Sequence, residues 1–243
     1  DVCSSDLSNV ILIMIKQNKI TEATDYIDQA KLRFGQVDDV NFVFNEANLL
    51  AHRGAFREGL RRLDICLKNS PGNNVFLNFK ARMHYFLLEF SDTEIIHKMI
   101  LNDIPDDRDS HSVLSFLYFG QCRWRDAFYH DQFRAKEHQG PEAVFSSLPY
   151  LIRWDGKECI DRLLVIQEQG LGDVIRYSFF LALLADVVKE VFVVADERLS
   201  STLERSFSNV TVLPKTAFPA TRNAIDIDAT HAIALPDLGY CLT

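Results

Sequence analysis

Two hydrophobic rhythms divide the chain. From residue 8 to about residue 140, apolar positions recur at helical spacing. In "NKITEATDYIDQAKLRFG" (18–35) a turn is followed by Ala23, Ile27 and Ala30. In "RGAFREGLRRLDICLKNSPG" (53–72) the same places hold Gly59, Leu63 and Cys66, and Pro71 closes the helix. Two weaker units, 91–107 and 124–142, put Ile95 and Ala127 at the small-residue place. A small residue lets two helices approach, and the larger apolar ones fill the seam to the next unit. One helix pair cannot bury its own face, so such units stack. The pattern predicts a helical repeat domain over 8–140, with an irregular helical bundle as the alternative.

After 140 the rhythm changes. Gly140-Pro141, Pro149 and Asp155-Gly156 punctuate 138–161, which reads as a linker with Tyr150 and Trp154 packed on a domain surface. From 162 strand-like and helix-like runs alternate. "RLLVIQ" reads as a buried strand and "DVIRYSFFLALLADVV" as a helix. "EVFVVA" and "VTVLP" read as strands around the helix "ERLSSTLERSF", and "HAIALPDL" as a further strand. β-α-β-α-β order predicts a parallel sheet with right-handed crossovers. The expected fold class is α + α/β: an α-solenoid followed by a parallel α/β domain over 162–243.

Composition narrows the function classes. Apolar residues make up 47% and charged residues 25%, as in a soluble globular protein. A net charge of −8 argues against nucleic acid as a partner, because such binding needs cations to displace counterions. The longest apolar runs, 10–15 and 179–185, are too short to cross a bilayer, so no transmembrane segment is expected. The five cysteines are odd in number and form no CxxC, which suggests free thiols and a cytoplasmic location. The seven histidines form no HExxH, and no metal site is expected. The first seven residues, "DVCSSDL", read like a translated sequencing adapter, and a truncated C-terminus would accompany such an origin. The alternative is a polar N-terminus with Ser4, Ser5 or Asp6 capping a helix.

The stretch carrying candidate chemistry is "EQGLGD" (168–173), between the first strand and its helix. Ligands of open parallel sheets sit at the carboxyl ends of the strands. Gly170 and Gly172 would permit positive φ and close approach of the backbone. The amides of Leu171, Gly172 and Asp173 would face the crevice, and the Asp173 carboxylate could take a proton from a hydroxyl. A tight turn with Asp173 as an ordinary helix cap is the plainer alternative. Position 175, where a dinucleotide fingerprint has its third glycine, holds Ile, which argues against a nucleotide-dependent oxidoreductase. Asp226 and Asp228 could share a strand face, and His231 could enter the cleft. "NDIPDDRD" (102–109) reads as a solvated loop, and Arg57, Arg61 and Arg62 as a solvated helix face.

The repeats resemble the tetratricopeptide repeat, a helix–turn–helix unit of about 34 residues. "WDGKECIDRLLVIQEQGLGD" directly after them resembles a group of bacterial proteins that join such repeats to a glycosyltransferase domain related to the heptosyltransferase family. Trp154, Gly156, Glu168, Gln169, Gly170, Gly172 and Asp173 carry the likeness. The resemblance implies that 162–243 is a partial Rossmann-like domain, the N-terminal, acceptor-holding half of a GT-B fold. It implies an inverting, metal-independent transfer from a nucleotide-sugar donor to a protein or glycan acceptor presented by the repeats. Asp173 would be the general base. Glu168, Gln169, Gly170, Leu171, Gly172 and Arg176 would bind substrate, and no cofactor beyond the donor is required. The donor-binding half does not appear in this sequence, so the fragment is expected to be inactive alone. Where the family has an Arg-aromatic pair and a Pro in the following helix, this chain has Phe179, Phe180 and Ala182. The alternative is a non-enzymatic interaction scaffold with a degenerate α/β domain.

Overall fold

The computed structural model describes residues 4–35, 39–134, 150–168, 170–215 and 228–243. They fall into two compact units, 1–113 and 114–243. The division lies inside a helix.

Helices pair along the first half of the chain. The leading members are α1 (Ser4–Lys16), α3 (Val40–His52), α5 (Asn74–Phe86) and α7 (Arg108–Gly120). Each is followed by a partner: α2 (Ile20–Phe34), α4 (Phe56–Asn69), α6 (Phe90–Asp103) and α8 (Trp124–Asp131). Hairpins therefore recur every 34–36 residues. The stretch set aside as foreign supplies the first turn of α1 from Ser4, and Leu7 is buried.

One backbone turn joins every pair. Asn18, Gly54, Leu88 and Cys122 all have φ between 58° and 76°. The next amide reaches back five residues at 2.9 Å: Lys19 to Met14, Ala55 to Leu50, Glu89 to His84 and Arg123 to Tyr118. This double-bonded C-terminal turn satisfies carbonyls that the helix end would leave open. The second, third and fourth hairpins also begin alike. Asp39 accepts from the Phe42 amide, Asn73 from Val75 and Phe76, and Asp107 from Ser110. The stretch read as a solvated loop thus supplies the cap of α7.

The small-residue positions are Ala23, Gly59, Thr93 and Ala127, each with little or no exposure. A Cβ at Gly59 would meet Met83 Cε at 2.7 Å and the Ala47 carbonyl at 3.3 Å, so only glycine fits there without displacing Met83. The expectation for Ile95 is corrected: it is 57% exposed, and Thr93 takes the place. The Thr93 hydroxyl donates to the Glu89 and Ala81 carbonyls, which makes a polar residue tolerable in the seam. The misplacement came from reading the turn at 91, whereas it lies at Leu88, inside the apolar run "YFLLEF".

In the second unit five parallel strands form one sheet in the order β1-β5-β2-β3-β4. They are β1 (Ile152–Arg153), β2 (Ile160–Ile166), β3 (Val188–Ala195), β4 (Val210–Pro214) and β5 (His231–Ala234). The run Leu163–Ile166 is buried on both sides, the pattern of a central parallel strand. Between β2 and β3 lie α9 (Leu171–Tyr177) and α10 (Phe179–Leu183), where one long helix was predicted. Next come α11 (Ser200–Ser206) between β3 and β4, and α12 (Leu238–Leu242) after β5. Leu163, Val165, Val191, Val193 and Ile233 pack with Val174, Phe180 and Leu238 from the helices, and with Phe128 of α8.

The described part of the segment read as a linker, 150–161, belongs to this core. β1 pairs with β5, the Trp154 amide donates to Ala232 O, and Trp154 is only 2% exposed instead of lying on a surface. Its indole N–H donates to Glu158 O. Gly156 has φ +82°, and a Cβ there would lie 2.8 Å from Cys241 Cβ. Both the positive φ and the close approach call for glycine. Trp154 and Gly156 therefore anchor the first edge of the sheet to α12.

Candidate functional site

β2 is the pivot of the sheet. Its crossover leads to β3 on one side, while β5 lies on the other, with Ile166 paired to both Val194 and Ala234. The carboxyl ends of β2 and β5 thus flank a topological switch point, where open α/β sheets place ligands. The chain leaves β2 through Gln167-Glu168 and β5 through Leu235-Pro236-Asp237. Gln167 is buried; its amide donates to Val194 O, and its side-chain oxygen accepts from the Asp196 amide. This locks the exits of β2 and β3 together.

The gap between β2 and β5 is bridged by Arg134, three residues beyond α8. Its Nε donates to both Glu168 oxygens at 3.0 Å, and Nη2 also binds Glu168. Nη1 donates to the Asp131 carbonyl at 3.0 Å and lies 2.8 Å from Asp237 Oδ1. That last contact is an ion pair off the N–H direction, because Asp237 Oδ1 has no hydrogen-bond partner among the described residues. Arg153 holds the other Asp237 oxygen at 2.7 Å. The Asp131 carboxylate lies 3.6 Å from Nη1, and its buried Oδ2 has no hydrogen bond among the described residues.

Three acids therefore share two arginines. The side chains of Glu168 and Asp237 are 4% and 5% exposed, so desolvation decides the balance. Burial pushes the Glu168 carboxyl above its ordinary range despite Arg134. Burial raises Asp131 too, against the pull of Arg134. For Arg134 burial opposes the charge, but Asp237, Glu168 and Asp131 outweigh it and hold the guanidinium protonated. Tyr177, beside this group, is pushed up to about 12, chiefly by burial.

Asp173 lies in the first turn of α9, close enough for its charge to act on Asp131 and Tyr177, without a hydrogen bond into that network. Among the described residues its carboxylate has no hydrogen-bond or ion-pair partner. A Cβ on Gly170 would only touch Asp173 Oδ2, at 3.7 Å, and one on Gly172 would meet nothing within 4 Å. The expected positive φ is corrected at both glycines: Gly170 is extended (φ −71°, ψ 176°) and Gly172 lies within α9. What they provide is empty space beside a carboxylate. Leu171 opens α9 and is half-buried, and Gln169 lies outside the described residues. Arg176, one turn beyond Asp173, stacks over Phe119 at 4.9 Å and Tyr177 at 5.1 Å.

Two other expectations fall at the opposite end of the sheet. His231 begins β5, held by Glu158 and Thr230, and does not enter the switch-point gap. Asp228 is exposed near Arg162, and Asp226 lies outside the described residues. The residues missed from sequence are Arg134, Asp237 and Arg153. The readable signal was Asp131 and Arg134 standing where earlier repeats have Ile27 and Ala30, or Leu63 and Cys66.

No protein-family model matches the chain, and no curated protein matches it. Several solved structures are similar. A MamA structure, residues 41 to the end, from Desulfovibrio magneticus RS-1 is 15% identical with a TM-score of 0.45, covering 52% of this chain and 71% of that one. A tetratricopeptide repeat protein from Parabacteroides merdae is 16% identical with a TM-score of 0.45, covering 60% and 52%. A mutant O-GlcNAc transferase from Thermobaculum terrenum is 10% identical with a TM-score of 0.44, covering 91% of this chain and 42% of its own. The TPR-like hairpins and the parallel sheet of this chain stand on their own hydrogen bonds and packing. No described helix is long and apolar enough to cross a membrane.

Proposed function

We propose that this chain is the acceptor-side part of an inverting, metal-independent glycosyltransferase, with a Rossmann-like sheet of the GT-B kind and TPR-like repeats that present a protein or glycan acceptor. The observation carrying the reading is Asp173: a carboxylate at the exit of β2, unpaired among the described residues, beside the space left by Gly170 and Gly172. In one displacement the acceptor oxygen would attack the anomeric carbon of a nucleotide-sugar. Its proton would pass to Asp173, and the sugar–phosphate bond would break with the nucleotide leaving on the opposite face. Glu168, held by Arg134, would fix the loop that carries Asp173, and Arg176 would be available to the substrate.

The test is nucleotide release by the full-length gene product from a panel of UDP-, GDP-, ADP- and CMP-sugars, with and without cellular acceptor extract. Removal of a general base costs roughly 10²–10⁴-fold in rate. Asp173→Asn should show that loss with donor affinity unchanged, and full activity in the variant would remove Asp173 from the mechanism. A second reading, a binding scaffold without catalysis, is favoured by one observation. The first acid of the motif, Glu168, is committed to Arg134 rather than open to a ligand. That reading requires wild-type protein to release nucleotide from none of these donors.

A further inference from the structure

The second unit holds a cleft of which the transfer reading uses only Arg176. It has a volume of about 680 Å³ and lies between the α7–α8 hairpin and α9–α10. Phe119, Trp124, Phe128, Phe179 and Leu183 form its walls, and Arg125 and Arg176 line it from opposite sides. Acids outnumber bases 34 to 26 in this chain. Even so, among the described residues neither arginine has a carboxylate within ion-pair distance, whereas Arg123, next to Arg125, is paired with Asp126. Arg176 is held over two rings, which orients its guanidinium and leaves its N–H groups unspent.

Volume and chemistry meet the description of a binding site: mostly apolar walls with a few converging polar groups. The charge selects an anion. Exposure selects its size. Trp124, Phe179 and Leu183 remain 52%, 56% and 50% exposed at the rim. A lone amphiphile lying on the floor would leave these three wet, while a polypeptide would cover them. Half-exposed tryptophan beside arginine is also the composition of protein-binding hot spots. We propose that this cleft docks a segment of a partner protein in which acidic side chains flank a bulky apolar one. The apolar side chain enters between Trp124 and Phe179, and the carboxylates pair with Arg125 and Arg176.

The chain supplies its own reporter. Of its two tryptophans, Trp154 is buried and Trp124 stands in the cleft. The probe is the peptide acetyl-Glu-Asp-Leu-Phe-Glu-Asp-amide, titrated into the 243-residue chain while tryptophan emission and its quenching by iodide are followed. Expected are a saturable blue shift, protection from iodide, and affinity that falls steeply between 50 and 500 mM salt. Arg176→Glu and Arg125→Glu should each weaken binding at least tenfold, and a peptide with lysine in place of every acid should not bind. Arg125 is exposed and unpaired among the described residues, so its variant should keep the wild-type melting curve even if Arg176→Glu does not. No saturable change at millimolar peptide, or equal affinity in the Arg125→Glu variant, overturns the proposal. So does protection of Trp124 by dodecanoate with none by the peptide, which would make the cleft a small-amphiphile site. The readout is binding alone, so its failure is distinct from failure of the transfer reaction.

Discussion

The second and fourth hairpins close with the same turn and bury opposite chemistry. In α4 the positions after Gly59 are Leu63 and Cys66, both fully buried. At the matching positions after Ala127 the chain has Asp131 and Arg134, engaged with Glu168 and Asp237. The turn is set by backbone hydrogen bonds and recurs unchanged, while the seam is set by side chains and follows whatever lies across it. The fourth hairpin therefore keeps the backbone of a repeat and has the side chains of a sheet cap. The charge cluster at the switch point is its consequence.

The largest expected effect separates the two seams by pH. Removing one partner from a buried ion pair costs about 3–5 kcal/mol, and Leu63→Ala should cost a comparable 2–5 kcal/mol through its cavity. Arg134→Met should show that loss at pH 7 and regain part of it at pH 5, whereas Leu63→Ala should cost the same at both. The sign follows from Glu168 and Asp131, whose folded-state values lie above their ordinary 4.5 and 3.8. Stability they allow below those values is lost as pH rises through the raised ones. Without Arg134 they rise further, so more is lost by neutrality. Urea unfolding of each variant against wild type, at both pH values, cancels contributions from exposed carboxylates. An Arg134→Met cost independent of pH would remove the charge cluster from the account.

Next is the contact between α8 and α12 within the second unit. A Cβ on Gly239 would lie 2.3 Å from the Phe128 ring. Overpacking of this kind costs about 1–3 kcal/mol. Gly239→Ala should lower the melting temperature, and combining it with Phe128→Leu should cost less than the two changes added together. Additive costs would mean that the two residues do not meet.

The sheet was more legible than its site. The apolar core of β2 announces itself, because a strand buried on both faces has no polar positions to blur it, and "VTVLP" does so by alternating buried Val210 and Val212 with exposed Thr211. β1 was missed because two residues between Pro149 and Gly156 carry no period. In the repeats, Gly54 marks its turn, while Leu88 and Cys122 conceal theirs by placing side chains where glycine is easiest. At the site, local order showed the loop 168–173 and its strand–helix setting. It could not show that Arg134, 34 residues earlier, would meet Glu168, or that Asp237 would close the triangle, since sheet order and not sequence spacing brings them together.

The concealed turns give a smaller, opposite effect. A left-handed conformation costs a residue with a Cβ about 1–2 kcal/mol, and glycine gives back part of this through its freer unfolded chain. Leu88→Gly and Cys122→Gly should each stabilise by about 1 kcal/mol. Asn18→Gly should change little, because asparagine tolerates that region. If Leu88→Gly destabilises instead, the exposed leucine makes a contact that outweighs its strain.

The smallest change in stability divides fold from function most sharply. Gly172 lies inside α9 without positive φ, and a methyl group there meets nothing within 4 Å. Glycine in a helix costs about 0.5 kcal/mol or more relative to alanine. Gly172→Ala should therefore leave the melting temperature unchanged or slightly raised. If the space beside Asp173 receives an acceptor, the same methyl group must obstruct it, and transfer should fall while the protein grows no less stable. Gly170→Ala, whose Cβ would sit against Asp173, should behave likewise. Retained transfer in both alanine variants would mean that the space is idle and that the glycines serve only the path of the chain from β2 into α9.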